Sequence, residues 1–459
     1  MATSEALQDR LRRPLGFTLR VRVVQPADLS AKALPAVAGA GAFVSDTRCC
    51  QVASDGLLYE LTLFVTGDEQ LAAARAALEA AGLQVLETID LAMETHRGGA
   101  CEMRGRTPIR SNNDLRIVYT PGVARVCKKI QADPELAREY TGIHNKVAIV
   151  TNGTAILGLG DIGCVPGMPV MEGKSAIFWE FVGISAEPIL VDTKDPDEFI
   201  FVVEKIAPTF GAIQIEDVKA PECFPITREL DRRLAIPVMH DDQHGTATIV
   251  LAGLYSALKK TGRKIADVRC AISGAGASGT AISELLQRAG IGDVILCDSK
   301  GIVCRGRKEG MNPEKDALAA RTNRDNRSGT LADAMKGCDL FIGCSQPNIV
   351  SQDMVRSMAK DPIVFALANP VSEISRDDAT EAGAAIYADG RLMNNALAYP
   401  GIFRGALDVR ARDITLEMMM AAARKLADIV PAGELMPEMM DPATHRAVAE
   451  AVRQAAPKK

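Results

Sequence analysis

One stretch constrains this chain more than any other. From residue 267 to 290 it reads DVRCAISGAGASGTAISELLQRAG: a strand-like apolar run, a glycine-rich turn, and an alanine- and leucine-rich helical pattern. The turn Gly274-Ala275-Gly276-Ala277-Ser278-Gly279 matches G-x-G-x-x-G, and its place between strand and helix gives that spacing a mechanical meaning. Gly274 permits the tight turn, Gly276 lets backbone approach a pyrophosphate, and Gly279 allows close helix packing. The helix N-terminus then offers unpaired N–H groups to the phosphates. The next strand, DVILCD, ends at Asp298, 24 residues after Gly274. A carboxylate there accepts ribose hydroxyls and repels a 2'-phosphate, so NAD is the expected cofactor. Lys300, two residues on, offsets part of that repulsion and leaves NADP as the alternative.

The 459 residues suit about three domains, and the pattern divides them at two joints. Residues 15–95 read as a small α+β module. FTLRVRV alternates like a half-wet strand, YELTLFV is another after the turn signal Ser54-Asp55-Gly56, and LQVLETI is the last; the expected order is strand, helix, two strands, helix and strand. Helices are expected over 29–37 and over 68–81, the second capped by Asp68 and ended by Gly82. This module is structural, dimerising or regulatory. After the glycine- and arginine-rich joint THRGGACEMRGRTPIRSNN, residues 105–241 carry parallel-sheet indicators: VAIVTNG, AEPILVD, AIQIEDV and LAIPVMHDD, with helical segments between them. Residues 242–459 form the Rossmann-type dinucleotide-binding domain, with further strands at CDLFIGCS and PIVFALANP and a helical C-terminal part. The fold class is α/β, preceded by the small α+β module.

Composition excludes several classes. A formal net charge of -5 gives no general attraction to nucleic acid. No apolar stretch approaches the length of a membrane span, and MATSEALQDRLRRP carries charge where a signal peptide needs an apolar core. Eleven cysteines without a CxxC suit reduced thiols in a cytoplasmic protein. Five scattered histidines do not suggest a histidine metal cluster.

Acids do. Glu216-Asp217 ends AIQIEDV and Asp241-Asp242 ends IPVMHDD, so two strand ends carry adjacent carboxylates toward one crevice. Buried like charges are costly without a cation, and all-oxygen ligation points to Mg2+ or Mn2+. Solvated loop acids are the bland alternative. Lys174 sits in MEGKSAIFWEF, before a strongly apolar run. Partial burial there would lower its pKa toward the range of a general base; a surface lysine opening a helix is the other reading. Tyr119 in IVYTPGVA is, by itself, as readily a packed aromatic as an acid.

Together these motifs resemble malic enzyme of the smaller bacterial type, preceded by an ACT-like module. YTPGVA (119–124), ILGLGDIG (156–163), MEGK (171–174), IEDVKAPECF (215–224), HDDQHGTA (240–247) and PGIFRGALDV (400–409) carry the resemblance, which covers about residues 98–459. It implies a two-domain catalytic core and oxidative decarboxylation of (S)-malate to pyruvate and carbon dioxide. Glu216, Asp217 and Asp242 would hold the divalent ion, and Asp241 would sit beside Lys174 and set its proton balance. Asn369 and Asn395 match asparagines that bind the substrate carboxylate, Asn369 lying at the cofactor side as well. Lys174 as base would take the C2 hydroxyl proton while hydride leaves for the nicotinamide. The ion would stabilise the enolate, and Tyr119 would protonate C3 of enolpyruvate. Larger relatives have an arginine where this chain has Ala155, so that substrate contact does not carry over. A homodimer or higher homo-oligomer is the expected assembly, with an effector at the N-terminal module as a further partner. QPADLSAK replaces the glycine turn common at ACT ligand sites, so no effector is named.

Two rival readings remain. A phosphate acetyltransferase partner domain would need a long segment after the cofactor domain, and the sequence given ends at Lys459. A non-catalytic metabolite sensor would not need Lys174, Tyr119 and the acid set, all of which are present.

Overall fold

The computed structural model describes residues 15–457 except 54, 55 and 157. The turn signal at Ser54-Asp55 and the charged N-terminal segment therefore lie outside the described residues. The chain forms two compact units, the first ending at Glu102 and the second beginning at Met103.

In the first unit β1 (Leu15–Val23), α1 (residues 26–39), β2 (Phe43–Ala53), β3 (Gly56–Val65), α2 (Asp68–Ala80) and β4 (Gln84–Asp90) follow one another. The sheet order is β2-β3-β1-β4, every neighbour antiparallel. This is the split β-α-β-β-α-β arrangement. Alternation in β1 buries Phe17, Leu19, Val21 and Val23 against Leu61, Leu63, Val37 and Leu78. On the opposite face Arg20 pairs with Glu60 at 3.0 Å and Glu87 at 2.6 Å. Asp68 opens α2 but does not cap it; Gly67 holds the cap position and no side chain bonds the first turn. The sequence pattern places β3 but not β2. That strand lies at the sheet edge, exposed over most of its length, and carries register shifts between Val44 and Asp46 and between Cys49 and Gln51.

The second unit opens with α3 (Asn112–Val118) and α4 (Val123–Ala132), neither of which buries a residue. Then come β5 (Lys146–Thr151), α5 (Cys164–Val182), β6 (Ser185–Leu190), α6 (Pro196–Ile206), β7 (Ala212–Ile215), α7 (Cys223–Arg233) and β8 (Val238–His240). Their sheet, β6-β5-β7-β8, is wholly parallel. After α8 (Thr246–Thr261) the chain builds β9 (Arg269–Ser273), α9 (Ala277–Arg288), β10 (Asp293–Asp298), β11 (Gly301–Ile302), α10 (Pro313–Arg321), β12 (Leu340–Gly343), β13 (Ile363–Ala366) and β14 (Ile386–Asp389). The order is β11-β10-β9-β12-β13-β14, parallel except between β10 and β11.

The last helices, α11 (Tyr399–Asp408), α12 (Leu416–Asp428) and α13 (Pro442–Ala455), do not stay with the second sheet. Phe178 of α5 meets Tyr399 and Phe403 of α11 edge-on at 5.0 and 5.5 Å, and Phe181 stacks on His445 of α13 at 4.2 Å. One apolar core runs from Val147 to Val452. A break at residue 241 is therefore a change of sheet within one body. Parallel strands leave their carboxyl ends facing crevices, and the predicted acids lie there.

Candidate active site

Strand alternation places Gln214 and Glu216 on one face of the chain leaving β7, and Gln214 Nε2 donates to Glu216 Oε2 at 2.5 Å. Asp217 follows at φ 51°, a left-handed conformation that a non-glycine residue adopts only at a cost of about 1–3 kcal/mol. Its N–H donates to Asp242 Oδ2 at 2.9 Å, which ties the end of β7 to the end of β8. After β8 the chain makes one wide turn, Asp241–Gly245, before α8. A methyl group on Gly245 would overlap Asp241 Oδ1, so the bare glycine leaves room for that carboxylate.

Lys174 reaches this cluster from α5. Its Nζ lies 2.5 Å from Asp241 Oδ2 and 3.0 Å from Glu216 Oε1. Asn395 Nδ2 donates to the same Asp241 oxygen at 2.6 Å. The ring of Tyr399 lies under the ammonium, its centroid 4.7 Å from Nζ. Residues from α5, β7, β8 and the start of α11 thus converge on one point.

Burial alone would push the Lys174 ammonium down, but Asp241 and then Glu216 outweigh it and hold it well above the ordinary lysine range. The expectation of a lowered pKa is thereby reversed, because two carboxylates from other strands face the group. Burial pushes Glu216 well up; Lys174 opposes this, and Asp241, Asp242 and Asp217 add to it. Asp241 and Asp242 are likewise raised, first by burial, with Lys174 pulling the other way. His240 and His244 are held down to about 4 by burial and stay neutral.

Oxygens of Glu216, Asp217 and Asp242 all lie within 4.8 Å of one another, the one such cluster of potential metal ligands among the described residues. Four carboxylates crowd together and Lys174 pairs directly with two of them, so the donor set fits a hard divalent cation. Gln214 and Tyr399 complete the cluster and were not singled out from sequence. Gln214 is legible in hindsight as a polar residue inside an apolar strand, two positions before Glu216.

The dinucleotide turn takes its expected form. Gly274 follows β9 at φ 111°, Gly276 holds the cap position of α9, and Ala277, Ser278 and Gly279 form its first turn. A methyl group on Gly279 would overlap the Gly274 carbonyl oxygen. Gly274, Ala275 and Gly276 line an open cavity of about 1320 Å³ together with Asp298, Arg307 and Lys315. That exceeds the range of about 300–1,000 Å³ for ordinary small-ligand pockets and suits an extended ligand.

Asp298 lies where the sequence places it, but its acceptor capacity is taken. Arg307 binds it bidentately at 2.8 and 2.5 Å, Lys315 Nζ at 2.7 Å, and the Lys300 N–H at 2.8 Å. Although burial opposes it, these donors hold the Asp298 carboxyl down to about 2. The Lys300 side chain turns instead to Glu309, at 2.9 Å.

Two predicted residues, Asn369 and Tyr119, make no hydrogen bond or ion pair to the Lys174 cluster. Asn369 follows β13 on an exposed strand end, its carbonyl against Gly158. Tyr119 follows α3, 65% exposed, next to the exposed Ile117 and Val118. The tyrosine beside Lys174 is Tyr399.

Comparison with known proteins bears on this arrangement. Residues 100–231 match the family model of the malic enzyme N-terminal domain, and residues 243–393 and 391–457 match that of the malic enzyme NAD binding domain. The chain is 46% identical over 368 residues to the bifunctional malic/malolactic enzyme of Bacillus subtilis, covering 78% of this chain and 90% of that protein. It is 46% identical to the NAD-dependent malic enzyme of Geobacillus stearothermophilus, over 82% and 79% of the two chains. The crystal structure of NAD-dependent malic enzyme from Thermotoga maritima superposes with a TM-score of 0.77 at 39% identity, covering 80% of this chain and all of that one. With the carboxylate–lysine cluster and the dinucleotide turn in one body, the chain belongs to the malic enzyme family and is an NAD(P)-dependent decarboxylating malate dehydrogenase.

Proposed function

We propose that this chain converts (S)-malate to pyruvate and carbon dioxide with Lys174 as base and Tyr119 as acid. The observation that carries the base is the 2.5 Å contact between Lys174 Nζ and Asp241 Oδ2. A base must be uncharged, and a divalent cation held by Glu216, Asp217 and Asp242 would offset the carboxylates that keep the proton on Lys174. The neutral amine then accepts the C2 hydroxyl proton. Asn395 keeps Asp241 in place from the other side, and Asn369 and Asn395 are assigned to the malate carboxylates. When bound, the dinucleotide supplies the hydride acceptor, and Mg2+ or Mn2+, held by Glu216, Asp217 and Asp242, supplies a Lewis acid at the C2 oxygen. Purified chain should reduce NAD(P) only with malate and Mn2+ both present, and chelation should abolish the rate. Malate-independent or metal-independent reduction would sink this reading.

Tyr119 is proposed to act from a second copy of the chain. Met103, Ile109, Leu115, Ile117 and Val118 precede it in one run of the chain, each exposed and interspersed with polar residues, and this number of exposed large apolar side chains in one run favours an interface. A homo-oligomer that covers this run carries Tyr119 to the partner's Lys174. The first unit, by its strand order, is proposed to be an ACT-like dimerising or regulatory module.

Cofactor choice is proposed to turn on Arg307 and Lys315. With Asp298 saturated by these two cations, the carboxylate no longer repels a 2'-phosphate outright, and the cations can turn to it. NADP should therefore be used at least as efficiently as NAD. Lys315→Ala should lower kcat/KM for NADP at least about tenfold while sparing NAD, since a hydrogen bond to a charged group contributes about 1.5–3 kcal/mol and about 1.4 kcal/mol is tenfold. Equal losses with both cofactors in a steady-state comparison would show that Lys315 only orders the loop.

A further inference from the structure

Glu373 is a fully buried carboxylate outside the cluster described above. It lies between the ends of β12 and β13. One oxygen accepts the Ser345 N–H at 3.0 Å and the other accepts the Ala368 N–H at 3.1 Å. Its own carbonyl accepts the Val350 N–H at 3.1 Å. Burial raises its carboxyl, and the groups opposing that are backbone N–H donors, including those of Ser345 and Ala368. Gly343, the last residue of β12, makes room for it: a methyl group there would overlap the Glu373 carboxylate. Burying a charge on two amides is costly, so the arrangement calls for a reason beyond packing.

The two amides lead to different subsites. Ser345 lines the dinucleotide cavity, and its hydroxyl lies 2.7 Å from that of Ser273, the residue before the glycine turn. Ala368 immediately precedes Asn369, whose carbonyl abuts Gly158 of the other half of the catalytic unit. We propose that Glu373 is a positioning residue, whose two oxygens tie the strand end at Ser345 to the strand end at Ala368 so that cofactor and malate subsites keep one separation. This rests on the assignment of Asn369 to malate. A carboxylate is needed because both partners are donors. Glutamine has the same shape but sets its amide N–H2 against one of them.

Two variants test this. Glu373→Gln alters the bracket with almost no change of volume, and Gly343→Ala displaces the carboxylate while leaving it chemically intact. In both, KM for malate and the dissociation constants of NADH and NADPH, titrated by fluorescence, should rise about tenfold. Mn2+ affinity should stay at its wild-type value, and the unfolding midpoint should move by only a few degrees. Unchanged KM and dissociation constants with a lowered midpoint in both variants would mean a purely structural role and overturn the proposal. Asn369→Ala with unchanged malate KM would also overturn it, by removing the substrate side. Wild-type chain without malate turnover would overturn the functional reading instead, and dinucleotide binding by the two variants would then decide for or against Glu373.

Discussion

Lys174→Ala should lower malate oxidation by about 10²–10⁴-fold, the usual contribution of a positioned general base. The loss should fall on hydride transfer itself, because the alkoxide-forming step is gone. Removing the ammonium also leaves Asp241 and Glu216, both buried, without their counter-charge, so the variant should bind Mn2+ at least as tightly as wild type. Tyr119→Phe keeps the ring and removes the hydroxyl. Its first turnover should release carbon dioxide and form NAD(P)H, while pyruvate formation lags, as rapid quench with labelled malate would read. The larger effect comes from combining them. If Tyr119 serves the partner's Lys174, a hybrid dimer of the two nearly inactive variants holds one intact site. Random pairing should then restore about a quarter of wild-type activity. Co-expression with two affinity tags isolates the hybrid. Its failure to regain activity would place Tyr119 in its own chain or outside the reaction.

Asp242→Asn should weaken Mn2+ binding by at least about 100-fold, since even outer-shell partners of a metal site cost 10–100-fold when lost. Asparagine keeps an oxygen for the Asp217 N–H, which now reaches Asp242 Oδ2 at 2.9 Å, so the connection between β7 and β8 should persist. Turnover should fall with metal occupancy, and dinucleotide affinity should not change, because the glycine turn lies on the other sheet. Calorimetric titration with Mn2+ checks the first, fluorescence titration with NADH the second. Unaltered Mn2+ affinity would remove Asp242 from the ligand set.

What could be read from sequence followed local regularity. β5, β7, β9 and β13 are mostly apolar runs, and the turn after β9 has a fixed chemical reason for each glycine, so elements and acids alike are visible one residue at a time. β2 is counted in the expected order but not placed, because its two register shifts break the period of two and its edge position leaves most side chains wet. The pairing of Lys174 with Asp241 is implied by the resemblance alone: Asp241 stands 67 residues away and no spacing announces that the two touch, so burial read by itself turns the lysine's pKa the wrong way. Around Asp298, Lys300 is the near cation in sequence, while Arg307 and Lys315 are the near cations in space. Contacts between elements, rather than the elements, are what one-dimensional pattern lacks.

Asp241 Oδ2 receives Lys174 from α5 and Asn395 from just before α11, while Tyr399 closes the pocket from below. Synthesis runs from the N-terminus, so a nascent chain makes its base and its metal acids long before it makes the residues that hold them. Until Asn395 and Tyr399 have left the ribosome and docked on α5, the Lys174–Asp241 pair lacks a donor on one side and an aromatic floor beneath. Competence is then a late event in the life of each molecule. A ribosome-stalled fragment ending before residue 395 would carry every acid of the metal cluster and still be unable to turn malate over.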